Sequence, residues 1–166
     1  MTAREYLRRP FLLQKEIERK MRRISFLRRQ ANRLAAALKQ DRVQSTPDPT
    51  RMQAFLSEAA DEEREILRLE DARKQALIDT ALVISLLPEE EQVKMMELRY
   101  MDGHEWEETI SMLAVSESTA YRMHRRALAW LDSLPVIRRA GSEPDEKRMD
   151  SFLFSGIMNS DEKQKD

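Results

Sequence analysis

Residues 113–131 read LAVSESTAYRMHRRALAWL, and the fold turns on how this stretch is read. Ala120, Met123, Ala127 and Leu131, with Leu134 beyond, recur at spacings of three and four, which puts them on one face of a helix. Ser118, Tyr121, Arg122, Arg125 and Ala129 fall on the other face. Ser116 stands where a hydroxyl caps a helix start, and Ala114-Val115 before it reads as a tight turn.

Two short helices are predicted upstream. Pro88 followed by Glu89, Glu90 and Glu91 has the chemistry of a helix start, with Pro at the first position and acids at the positive end of the dipole. Val93, Met96 and Tyr100 mark its apolar face, and Asp102-Gly103 ends it. A second helix carries Trp106, Thr109, Ile110 and Leu113 on one side. Three helices with a tight turn between the last two describe a helix-turn-helix, here assigned to residues 88–134.

The first half of the chain has a different pattern. Ile17, Ile24, Ala31 and Leu38 occupy one heptad position; Leu13, Leu27 and Leu34 occupy the complementary one, where Lys20 is the exception. Thr2 and Glu5 form a capping-box pair, so this helix is expected to begin before Pro10 and to kink there. QSTPDPT at 44–50 interrupts it. A second long helix, about 50–87, has an apolar stripe of Met52, Leu56, Ala59, Ile66, Leu69, Ala76, Val83 and Leu87. Two long helices joined by a short loop predict an antiparallel, coiled-coil-like hairpin over residues 1–87.

Charge follows this division. Residues 1–50 hold 13 Lys+Arg against 5 Asp+Glu, and residues 51–110 hold 7 against 16, although the whole chain carries only −1. The basic arm reads either as a face salt-bridged to the acidic one or as a nucleic-acid surface. EEREILRLED at 62–71 reads as a solvated acidic face. From 135 onward the chain is polar and charged except for SFLFSGIM at 151–158, and a disordered tail is expected.

Composition narrows the function classes. There is no cysteine, hence no disulfide or cysteine metal site. No apolar run is long enough to span a membrane, and no signal peptide is visible, so a cytoplasmic location is expected. His104 and His124 satisfy no metal-ligand spacing; His124 is expected at a phosphate or packed at the domain edge. With no nucleophile–base pair and no phosphate loop, neither an enzyme nor a cofactor is expected.

The stretch from Leu87 to Leu128, with Leu98-Arg99-Tyr100, Trp106-Glu107-Glu108, Ser116 and Tyr121-Arg122-Met123-His124, resembles region 4 of bacterial sigma factors. Joined to a helical hairpin, it resembles small phage-encoded transcription regulators. The resemblance implies an all-α protein, double-stranded DNA as partner, and host RNA polymerase as a second partner at phage or prophage late genes. A sigma factor's promoter-melting domain finds no room, so an activator is expected rather than an autonomous sigma factor. Glu117, Ser118, Tyr121 and Arg122 would face bases, Arg125 and Arg126 phosphates, and Ser116 would hold the cap. The chain departs from the pattern at Ile110, where Ala is usual, at Ala120, where Val or Ile is usual, and at Ala114, where Gly or Asn is usual. Ala at a left-handed position is strained. A small terminase-like DNA-packaging subunit and an interaction module that no longer binds DNA remain alternatives, and a homodimer is as open as a monomer.

Overall fold

A computed structural model describes residues 1–40 and 49–139. Its helices are α1 (Ala3–Gln40), α2 (Pro49–Ser85), α3 (Glu90–Tyr100), α4 (Trp106–Leu113), α5 (Glu117–Asp132) and α6 (Pro135–Arg139), with no strand among the described residues. The side chain of Leu38, residues 41–48 and residues 140–166, including the apolar stretch at 151–158, lie outside that description. No described helix is long and apolar enough to cross a membrane. The chain divides into two compact units, Arg8–Thr80 and Met1–Leu7 with Ala81 onward.

The Arg8–Thr80 unit is the antiparallel hairpin. Along α1, Ile17, Ile24, Leu27 and Ala31 are buried and Leu13 and Leu34 half-buried, which is the heptad seam. Ile24 and Leu27 cluster with Ala59 of α2, flanked by Phe55 and Ile66. Lys20, the polar exception in the seam, is matched from the other arm: its Nζ lies 2.7 Å from Glu62 Oε2. Arg23 meets Glu58 at 2.5 Å, so the partner number falls as the α1 number rises, as antiparallel arms require. Arg28 reaches back to Glu63. Three ion pairs thus join the basic arm to the acidic one across the hairpin. The α2 stripe differs from expectation at one point: Leu56 is 46% exposed, and Phe55 takes its place in the packing. Adjacent residues differ by about 100° around a helix, so only one of the two can face the seam.

The second unit is built on α3–α6. α3 packs against α4 and α5, and α5 against α6. Met96, Ala127, Leu128 and Leu131 join Val83, Ile84, Leu87 and Ile137 in one buried cluster. Ala3, Tyr6 and Leu7, from the first turns of α1, complete it. The capping box forms as expected: Thr2 N–H donates to Glu5 Oε2 at 2.7 Å, and Glu5 N–H to Thr2 Oγ1 at 3.3 Å. The free Ala3 N–H donates to Asp132 Oδ1 of α5 at 2.6 Å. Pro88 sits two residues further out than predicted. Glu89 is the N-cap, because its carbonyl accepts from Gln92 and Val93 N–H at 3.0 and 3.1 Å. Residues 135–139, placed in the tail by composition, form α6, with Ile137 buried.

Candidate nucleic-acid interface

α4 is anchored at its start by Glu108, whose carboxylate accepts the Glu105 N–H at 3.1 Å. That bond, and then the one to His104, holds the Glu108 carboxyl below its ordinary value. α4 ends at Ala114, with φ 52° and ψ 38°, and the chain enters the left-handed region there. The turn has the geometry that Gly would supply without strain, and here Ala occupies it.

Ser116 is extended and caps α5. Its Oγ accepts the Thr119 N–H at 3.3 Å and lies 2.8 Å from Thr119 Oγ1, while its carbonyl accepts from Ala120. The predicted faces of α5 appear in the structure. Ala120, Met123, Ala127 and Leu131 are buried; Glu117, Ser118, Tyr121, Arg122, Arg125 and Arg126 are exposed. The six exposed residues and the capping Ser116 therefore lie along one helix and its cap. At the α4–α5 approach Ala120 is buried and Ile110 half-buried.

Seven cations of the hairpin, Arg19, Lys20, Arg23, Arg28, Arg64, Arg68 and Lys74, each pair with a carboxylate. Among the described residues, Arg122, Arg125 and Arg126 form no ion pair. Arg122 in the leading half of α5, with Arg125 and Arg126 just past its midpoint, makes an exposed cationic face that favours an approaching anion.

Behind this face lies an aromatic stack that the sequence did not reveal. The Tyr121 ring lies 4.5 Å from that of Trp106, and the Arg99 guanidinium sits 4.6 Å above Trp106 on centroid distances. Arg99 also donates to the His104 carbonyl, tying the α3–α4 turn to the stack. Trp106 meets the His124 ring edge-on at 5.0 Å. Of the two places expected for His124, the structure gives the packed one, because the side chain is only 6% exposed. Its Nε2 is 3.0 Å from Tyr100 Oη. Burial, then the charges of Arg4 and Arg99, push its pKa down to about 4, so the ring is neutral at pH 7. No spacing rule joins Arg99, Trp106 and Tyr121, since they come from three helices. The signal was aromatic content alone.

A family model described as ECF sigma factor matches residues 15–134, taking in most of the hairpin and the whole helix-turn-helix. No curated protein and no solved structure matches the chain.

Proposed function

The chain belongs to the ECF sigma factor family, whose members are DNA-binding transcription regulators, and we propose that it reads a specific DNA sequence with α5. On this reading Glu117, Ser118, Tyr121 and Arg122 approach base edges, Arg125 and Arg126 hold phosphates, and Ser116 fixes the turn that presents them. It acts with RNA polymerase in the cytoplasm, as an activator of phage or prophage late genes. The union of a hairpin with a sigma-region-4-like domain supports that finer assignment. The carrying observation is the cationic exposed face of α5. Arg122, Arg125 and Arg126 have no acidic partner among the described residues and stand exposed on the helix that Ser116 caps.

The test begins with selection of a preferred duplex from a random pool, followed by fluorescence anisotropy at several salt concentrations. Arg122→Ala should weaken the selected duplex by about 1–3 kcal/mol and scrambled DNA little. Arg126→Ala should weaken both alike and lower the salt slope by about one unit. If the intact protein enriches no duplex, or neither substitution alters binding, α5 is only a solvated face. Reporter transcription with purified polymerase then decides the activator role: stimulation from late promoters is expected, and unchanged transcript levels would remove it.

A further inference from the structure

The outer face of α1 carries a line of cations that the hairpin leaves unmatched. Ile17, Ile24 and Ala31 fix the seam, and the heptad position furthest from it holds Arg8, Lys15, Arg22 and Arg29. All four are exposed, and none forms an ion pair among the described residues. Arg33, one turn past Arg29, is exposed and unpaired in the same way. The two acidic side chains that fall between Arg8 and Arg33 are engaged elsewhere. Glu16 holds Arg19, and Glu18 accepts from Gln14 Nε2 at 3.0 Å. The exposed side of α2 shows what a merely solvated face of this hairpin looks like. There Arg64, Arg68 and Lys74 each pair, one turn away, with Asp61, Glu65 and Asp71. The α1 line is of one sign.

We propose that this face is a second docking surface for duplex DNA, one that grips the phosphate backbone along the side of α1. Arg8 and Arg29 are separated by roughly 32 Å of helix at a rise of about 1.5 Å per residue. A line of that length outruns any small anion and calls for an extended one. Duplex DNA carries about one negative charge per 1.7 Å of its axis, so it offers phosphates over the whole length. Contacts of this kind add affinity and carry no sequence information, which leaves base reading to α5. A bilayer fits the face less well. Phe11, Leu12, Met21 and Phe26, the exposed large apolar residues of α1, fall on different sides of the helix. They form no strip that could enter the acyl boundary. The choice of duplex DNA as occupant rests on the reading of this chain as a DNA-binding regulator.

The test uses the full chain and measures affinity for a scrambled duplex and for a selected one across a salt series. Combining Lys15→Gln, Arg22→Gln and Arg29→Gln removes three charges at exposed positions and keeps good helix formers there. The slope of log affinity against log salt should fall by about 2–3 units, at about 0.9 per phosphate. Both duplexes should weaken by the same factor, and far-UV circular dichroism should stay unchanged. Arg22→Gln alone should lower the slope by about one unit. Arg64→Gln, Arg68→Gln and Lys74→Gln together change the net charge equally and should leave the slope at the parent value. The ratio of selected to scrambled affinity reports on α5 and the shift in slope on α1, so either reading can fail alone. The proposal is overturned by a triple α1 variant with the parent's slope, by an α2 control that lowers the slope as much, or by a loss confined to the selected duplex. Cosedimentation with phosphatidylglycerol vesicles that the α1 substitutions abolish, beside an unchanged slope on DNA, would overturn it too and assign the face to a membrane.

Discussion

Replacing Ala114 by Gly should stabilise the helix-turn-helix unit. Ala114 has φ 52° and ψ 38°, which brings its Cβ close to the following carbonyl and costs about 1–2 kcal/mol. Ala114 is exposed, so losing the methyl group removes no core packing. Gly returns part of the gain through its freer unfolded chain, about 0.4–1 kcal/mol. The net expectation is a stabilisation of about 0.5–1 kcal/mol, or a rise in Tm of about 2–8 °C for a unit of this size. Tryptophan fluorescence reads the right unit, because both tryptophans, Trp106 and Trp130, lie in it and none in the hairpin. A series sharpens the test. Asn tolerates the left-handed region and should fall between Gly and Ala, while Val should be worse than Ala. An unchanged or lowered Tm for Ala114→Gly, or a Val variant as stable as the parent, would refute the strain argument.

His124 titrates at about 4 when folded, against 6.5 in the reference state, so the unfolded chain binds the proton first. Stability from this group is complete above pH 6.5 and lost as pH falls towards 4, by up to about 3 kcal/mol, and His124→Gln should flatten that limb of a denaturation-against-pH curve. Thr80 is fully buried, and its Oγ1 has no hydrogen-bond partner among the described residues. Thr80→Val should raise hairpin stability by about 1 kcal/mol in urea unfolding followed by far-UV dichroism, and a loss of stability would mean the hydroxyl is satisfied. Leu7 is 1% exposed in the core of the helix-turn-helix unit, so Leu7→Ala should cost about 2–5 kcal/mol in the tryptophan-detected transition. An unchanged midpoint would show that the first turns of α1 are dispensable to that unit.

Periodicity carried most of the fold because it is a local signal. The α1 seam and the buried face of α5 each follow from spacings within one helix, and the structure buries Ile17, Ile24, Leu27, Ala31, Ala120, Met123, Ala127 and Leu131 accordingly. Contacts between distant segments left no such mark. Lys20 reads as a flaw in the heptad until Glu62 is opposite it, 42 residues away. The choice between Leu56 and Phe55 is likewise open to a count of apolar positions and is decided only by packing. Ala3, Tyr6 and Leu7 look like the start of the hairpin, yet they complete a core more than seventy residues further along the chain. At the candidate interface the α5 faces and the Ser116 cap were legible. The burial of His124 and the Arg99–Trp106–Tyr121 stack were not, because both arise where α3, α4 and α5 meet.

Net charge is a poor guide to what such a chain can bind. With 29 basic and 30 acidic side chains it looks indifferent to DNA. Phosphates, however, respond to charge within a Debye length of about 8 Å at physiological salt, not to the sum over the molecule. Within the hairpin, each cation–carboxylate pair largely cancels at that range. Arg122, Arg125 and Arg126 have no such cancellation among the described residues. The pairing is partial: Arg19, Lys20, Arg23 and Arg28 are matched, while Arg22, Arg29 and Arg33 of the same arm form no ion pair among the described residues. A near-neutral total also removes long-range attraction to the polyanion. Binding by α5 alone should then show a shallow salt dependence set by the few phosphates that α5 reaches, at about 0.9 per phosphate, and its selectivity should rest on contacts made after encounter. A steep slope, of the kind many phosphate contacts produce, would mean that the basic arm of α1 engages DNA as well.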